Sequence, residues 1–446
     1  MRHHGCRGPR TERKRLKDKP ICDFVRQYAQ SGTLRLHMPG HKGFGAVESM
    51  DITEISGADS LYEAAGIIAK SEENASKIFG CPTFYSTEGA SQCIRAMLHL
   101  ASLHVGKIGQ DFRVLAGRNA HKAFLSAAAL LDFSVDWLYP KGANYLSCPI
   151  TAAQLESAIS DSKPHAVYLT SPDYLGNILD IAALADVCHR HDCLLLVDNA
   201  HGAYLKFTGQ HPMDLGADLC CDSAHKTLPV LTGGAYLHVG LPALLGAVKP
   251  AMALFGSTSP SYLILQSLDN ANDYLADAYP GLLADFLPRV RKLKQTIPHL
   301  GNEPLKLTVD AKAMGYTGHA LADLLREQNI ECEFADPDVV VLMLTPELGE
   351  QGLSKLETAL CSIPRLAPIT ATAPTVNTPQ RVLTIRQAAL CSSVTLPLCQ
   401  CEGKILADLG FGCPPAVCPI VCGERLDASA IAALSYYGIE CCRVIE

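Results

Sequence analysis

Three short apolar runs, at residues 114–116, 166–170 and 194–197, each follow a stretch with helical periodicity, and that alternation admits few folds. Parallel strands need a crossover long enough to hold a helix, so strands separated by helices pair in parallel. The helical stretches are residues 90–104, where Ile94, Met97, Leu98 and Ala101 recur on one face, then 152–159 and 182–191. An α/β fold is expected, with a mostly parallel central sheet flanked by helices. In such sheets ligands gather beyond the carboxyl ends of the strands. Three polar clusters lie just there: Gly117-Arg118-Asn119-Ala120-His121-Lys122, Ser171-Pro172-Asp173-Tyr174 and Asp198-Asn199-Ala200-His201.

A chain of 446 residues, 48% hydrophobic and 19% charged, is long enough for two or three domains and a large core. Its formal charge of -7 gives no reason to expect nucleic acid. The basic run from Arg2 to Lys19 reads as a solvated, frayed tail. No apolar core follows it, so a signal peptide is not expected and the location is expected to be cytoplasmic. Residues 227–268 are the most apolar, but Gly233-Gly234, Pro242, Pro250 and Pro260 interrupt them, which favours core or subunit interface over a membrane span. Nineteen cysteines without an export signal read as reduced thiols. Cys399, Cys401, Cys413, Cys418 and Cys422 lack paired finger-like spacing, so no metal is expected.

After Tyr279-Pro280-Gly281 the composition changes to an amphipathic helix and then Leu305-Lys306-Leu307-Thr308-Val309, the start of a smaller α+β domain. The expected division is a basic tail at 1–19, an N-terminal segment at 20–50, a major domain at 51–280 and a C-terminal domain at 281–446. The Pro/Thr/Ala-rich stretch 367–379 reads as a loop.

Lys226 lies in Asp222-Ser223-Ala224-His225-Lys226-Thr227, downstream of the apolar strand that ends at Asp198. An aldehyde cofactor such as pyridoxal phosphate needs a lysine amine for its imine and a carboxylate near its ring nitrogen, and these two residues suit those roles. Asp198 could instead simply end its strand, but a carboxylate there needs a partner to offset desolvation. Ser86-Thr87-Glu88-Gly89-Ala90-Ser91 opens a helix and offers free amides to a phosphate, although serine and threonine at helix starts are usually caps. Ser223 and His225 could hold phosphate oxygens. His121 could stack on a cofactor ring or cap a helix.

These motifs, with Leu36-His37-Met38-Pro39-Gly40-His41-Lys42-Gly43 and the segment 51–59, resemble the ornithine/lysine/arginine decarboxylase family, from about residue 20 to 269. A weaker echo occurs at Glu402-Gly403-Lys404-Ile405 and Cys413-Pro414-Pro415. The resemblance implies an aspartate-aminotransferase-like fold and pyridoxal 5'-phosphate as cofactor. It implies a lyase that decarboxylates arginine, lysine or ornithine to the amine, as in polyamine biosynthesis, the alternatives being an aminotransferase or other lyase on the same fold or a cofactor-binding protein without catalysis. Lys226, Asp198 and His121 would be catalytic. Gly89, Ala90, Ser91, Ser171, Ala200, His201, Ser223 and His225 would contact the cofactor. Thr258, within 257–262, matches a segment that reaches a partner's phosphate, so a homodimer is implied. The chain looks like the family's short form, in which no response-regulator-like wing is expected before the first motif. Two departures leave the substrate open: Pro414-Pro415-Ala416-Val417-Cys418-Pro419 replaces Pro-Pro-Gly-Ile-Pro, and Asp173 stands where threonine is common. For the distal substrate charge, the acidic segment 51–63, Asp173 and Glu424 are available, while Arg381 and Arg386 could bind a carboxylate, as an aminotransferase would need.

Overall fold

The structure, a computed structural model, describes residues 18–139, 144–412 and 415–446. Most of the expected basic tail, and Cys413-Pro414, lie outside the described residues. Pro20 opens the first helix, Pro20–Gln30, and Asp269 Oδ2 accepts the amides of Ile21 and Cys22 at 3.1 and 3.0 Å. A carboxylate 248 positions away thus satisfies donors that a helix start leaves orphaned.

The central sheet has seven strands: β1 (Thr83–Ser86), β2 (Arg113–Gly117), β3 (Ser134–Leu138), β4 (Ala166–Thr170), β5 (Leu194–Asp198), β6 (Leu219–Asp222) and β7 (Ala235–Val239). Their order is β1-β7-β6-β5-β4-β2-β3. From β3 to β6 every pairing is parallel, whereas β7 runs antiparallel to both β6 and β1. The reason lies in the connection: residues 223–234 hold only the short helix Ala224–Thr227, too little chain for a crossover.

Both faces of the sheet are covered. Met97 and Leu98 of the helix Ala90–Val105 pack in one cluster with Leu196, Leu219 and Leu237. On the other face Leu155, Ile159, Leu184 and Val187, from helices Ala152–Ser162 and Ile181–Arg190, meet Val167, Leu169, Leu195 and Val197. Strands buried on both sides read as continuous apolar runs, and each such aliphatic side chain contributes about 1.5–3 kcal/mol through burial.

The rest of the chain forms two small antiparallel sheets. β8 (His299–Leu300), β9 (Lys306–Asp310), β10 (Phe334–Ala335) and β11 (Val339–Met343) are ordered β10-β11-β9-β8. β12 (Ser393–Pro397) pairs with β13 (Cys441–Ile445) and shares a small core with the helix Ala428–Tyr436. Residues 367–379 carry neither helix nor strand, and part of them lines a cavity of about 700 Å³. Arg381 donates to the carbonyl of Val135 at 2.5 Å, and Arg386 to those of Ala129 and Leu130 at 3.0 and 3.1 Å, tying this last region to β3 and to the helix Lys122–Leu131. Among the described residues no helix is long and apolar enough to cross a membrane.

Candidate active site

The parallel register sets Thr170 beside Asp198 and Asp198 beside Cys221, so Ser171 and Ser223 follow strand ends on the two sides of Asp198. Asp198 is 2% exposed. Its Oδ2 accepts the Tyr168 hydroxyl at 2.9 Å and its Oδ1 the Ala200 amide at 3.1 Å. Burial pushes its carboxyl above the usual range, against the pull of the Tyr168 hydrogen bond and the Lys226 charge. A carboxylate in that setting is stabilised by a cation placed against it. Ser171 is tied in place, its amide donating to the Asp198 carbonyl and its hydroxyl accepting the Leu179 amide, both at 3.0 Å.

Lys226 stands on the short helix after β6, its Nζ 3.0 Å from His201 Nε2. On the far side of that imidazole, Lys306 Nζ lies 3.1 Å from Nδ1. Burial, with the charges of Lys226 and Lys306, pushes His201 well below the usual histidine range, so its ring is neutral. His121 caps the helix Lys122–Leu131 by accepting the Ala123 amide at Nδ1, the capping role weighed above. Burial and the nearby Lys226 charge push it down to about 3, so it too presents a neutral ring.

The helix Ala90–Val105 begins after Gly89, which has φ 70° and no side-chain cap. Ser86 accepts the amide of Glu88 instead, so the serine does not close the mouth of the helix. A Cβ built on Gly89 would meet nothing within 4 Å. The Gly89 amide donates to the Gly233 carbonyl at 2.8 Å, and the His225 ring Nδ1 donates to the Gly234 carbonyl at 3.1 Å. One glycine turn therefore holds the helix mouth next to the Lys226 helix. Gly233 has φ +99°, and a Cβ there would sit 2.9 Å from the Thr87 carbonyl oxygen. This open, amide-lined mouth, a reactive amine and a buried carboxylate at one sheet edge fit the phosphate, aldehyde and ring nitrogen of pyridoxal 5'-phosphate. Thr258 is exposed, and the amide of neighbouring Ser257 donates to Glu88 Oε1 at 3.2 Å, beside the helix mouth of its own chain.

The acidic residues considered for a distal substrate charge are mostly engaged elsewhere. Asp173 accepts Ser147 Oγ at 2.5 Å, the Asn177 amide at 2.8 Å and Asn177 Nδ2 at 2.9 Å. Glu424 makes a bidentate pair with Arg118 at 3.0 and 2.6 Å, and Asp59 receives the amides of Gly66 and Ile68. These carboxylates hold the fold and are not open to a ligand. Arg381 and Arg386 are likewise occupied by backbone carbonyls.

Sequence reasoning missed several neighbours. Tyr174 packs edge-on to His201 with ring centroids 5.2 Å apart, and its hydroxyl donates to the exposed Glu333 at 3.1 Å. Lys306 is 2% exposed, and the signal was present: a lysine at the start of an apolar strand. Behind the site, buried Asp222 accepts Asn199 Nδ2 at 2.6 Å, His211 Nε2 at 3.1 Å and His238 Nε2 at 3.0 Å. Among the described residues, His211, Cys220 and Asp222 bring metal-ligand atoms within 4.8 Å of one another, and hydrogen bonds account for that packing.

Against known proteins, the family description Orn/Lys/Arg decarboxylase, major domain, matches residues 19–304. The chain is similar to the uncharacterized protein YaaO of Bacillus subtilis strain 168, 31% identical over 361 residues, 73% of each chain. It is also similar to the arginine decarboxylase of that organism, 26% identical over 461 residues, 93% of this chain and 92% of the relative. Among solved structures, the Francisella novicida lysine decarboxylase LdcF superposes with a TM-score of 0.76 at 16% identity, covering 96% of this chain and 81% of the other, a likeness of fold.

Proposed function

The chain belongs to the Orn/Lys/Arg decarboxylase family, whose members are pyridoxal-phosphate-dependent amino acid decarboxylases, and from that premise we propose that it converts a basic amino acid to its amine and carbon dioxide. Arginine is the first substrate to test, since several similar bacterial proteins carry the name arginine decarboxylase. The observation that carries the reading is the convergence of Lys226, Asp198 and the open helix mouth at Gly89 on one sheet edge.

In this reading Lys226 binds the cofactor carbonyl carbon and Asp198 its ring nitrogen. The amides of Ala90 and Ser91, with Ser223 and His225, hold its phosphate, and His121 lies against its ring. Ser171, Ala200 and His201 border it. Pyridoxal 5'-phosphate there supplies an electron-poor ring that takes up the electron pair left when carbon dioxide departs. Asp198 keeps the ring nitrogen protonated, and Tyr168 holds that carboxylate in place. His121, neutral, stacks without adding a competing charge. With the cofactor bound, Lys226 Nζ would be the group placed to return a proton to the α-carbon. Glu333, exposed and braced by Tyr174, faces the distal cation, a planar guanidinium suiting its carboxylate best.

Against transamination on the same scaffold, Arg381 is engaged by the carbonyl of Val135 and Arg386 by those of Ala129 and Leu130. Amine product feeding polyamine synthesis and a homodimer with 257–262 near the partner's cofactor belong to the same proposal. The test is to incubate cofactor-loaded protein with labelled arginine, lysine and ornithine, measuring carbon dioxide and amine, with Lys226→Ala as control. Release that vanishes in the control supports the reading and identifies the substrate. A keto acid product, or no product, overturns it.

A further inference from the structure

We propose that Lys306 is a positioning residue that, through His201, holds Lys226 Nζ as a neutral amine and passes a proton to it during turnover. The inference rests on the reading of Lys226 as the lysine that binds the cofactor. Lys306 Nζ lies 2.9 Å from the carbonyl oxygen of Asp173, 3.4 Å from that of Tyr174 and 3.1 Å from His201 Nδ1. Carbonyl oxygens only accept, so two of its N–H bonds are assigned, and a charged Lys306 has one left for Nδ1.

A neutral imidazole that accepts at Nδ1 carries its proton on Nε2, the nitrogen 3.0 Å from Lys226 Nζ. That N–H needs an acceptor, and the lone pair of an uncharged Lys226 provides one. The same three groups have a second consistent state. The Lys306 Nζ–H bond breaks as Nδ1–H forms, and the Nε2–H bond breaks as a new N–H forms on Lys226. The imidazole is neutral before and after, and no proton is gained or lost in total. Lys226 can therefore be recharged without contact with solvent, and His201 is 5% exposed.

The surrounding charges favour the first state at rest. Burial is the largest influence on Lys306 and lowers it, while the carboxylates of Glu303, Asp173 and Glu333 favour its charged form. Burial first, and the Lys306 charge beside Nδ1, oppose a second proton on the His201 ring. Glu303 is itself anchored, accepting the Tyr204 hydroxyl and the Lys306 amide.

The test needs a readout other than activity. Nitrogen NMR of isotope-labelled histidine in cofactor-free protein, with the His201 signal assigned by His201→Asn, reports the tautomer, and the labelling rate of Lys226 by an amine-reactive reagent reports its neutral fraction. The wild type is expected to show the Nε2–H tautomer at about pH 7. In Lys306→Met, confirmed folded by its thermal melt, the ring is expected to move to Nδ1–H and Lys226 labelling to slow by about tenfold. Lys306→Arg still donates to Nδ1 but does not release its proton, so it should restore tautomer and labelling while kcat of the loaded enzyme falls about a hundredfold at unchanged KM. A wild-type Nδ1–H tautomer overturns the proposal even if the Met variant does not fold. So does a folded Lys306→Met with wild-type tautomer and labelling, or Lys306→Arg with wild-type kcat. If the decarboxylase reading itself fails, wild-type loaded protein releases no carbon dioxide, while the readings on cofactor-free protein stand.

Discussion

Asp198 and Lys306 are both buried charges, and the chain treats them in opposite ways. Asp198 lies among neutral donors and awaits a cation, so Asp198→Asn is expected to lower kcat by about 10²–10³ while Lys226 still binds the cofactor, as absorbance of the loaded protein shows. Tyr168→Phe removes one donor and should cost less, and equal losses in the two variants would count against the role of the carboxylate. Lys306 is pushed down to about 8 because burial outweighs the attraction of Glu303 and Asp173. Its ordinary value in an unfolded chain is about 10.4, so between these values the unfolded state binds more protons and stability rises with pH. The penalty, about 3 kcal/mol, is present in full below about pH 8 and is relieved as pH approaches about 10. Denaturant unfolding at the two ends of that window should show this rise in the wild type and not in Lys306→Met. The positions of Asp198 at a strand end and of Lys226 just after the next strand were legible because each stands in a local motif. Those of Lys306 and Glu333 were not, because what Lys306 touches lies 105 and 133 positions away and Glu333 meets Tyr174 across 159 positions.

At the scale of elements, the helix mouth depends on two glycines more than on the serine and threonine that precede it. Gly233 combines φ +99° with a backbone oxygen 2.9 Å from where a Cβ would stand. Gly233→Ala should therefore displace the Thr87-Glu88 turn, at about 1–2 kcal/mol for the backbone alone. The expected result is cofactor affinity weaker by about tenfold with the melt little changed, read by absorbance titration. Unchanged affinity would mean that the mouth is not the phosphate site. The helices and parallel strands were readable because burial on both faces leaves continuous apolar runs, as in Leu194–Asp198. The reversal of β7 was less readable, since its direction is set by the length of the 223–234 connection and not by residue pattern. His121 shows the remaining ambiguity, for one imidazole caps a helix through Nδ1 and still presents a ring toward Lys226.

At the scale of the whole molecule, the described residues leave an apolar arm uncovered. In the segment that carries the Leu36-to-Gly43 motif, Leu34, Leu36, Met38, Phe44 and Val47 are 79, 83, 71, 89 and 62% exposed. A run of this kind departs from the scattered apolar residues of an ordinary surface and marks a contact site. The loop 257–262 lies beside the Gly89 mouth and exposes Thr258. Both features fit association with a second copy, in which each chain helps to close the other's cofactor site. The protein is therefore expected to sediment at twice its 47.8 kDa. Leu36→Glu combined with Phe44→Ser should shift it toward monomer, because burying a carboxylate in an apolar contact without a partner is costly. If the partner completes the site, cofactor affinity must fall in step with the dimer fraction as the protein is diluted. A wild-type monomer, or a monomeric variant with full affinity at every dilution, would show that one chain closes its own site.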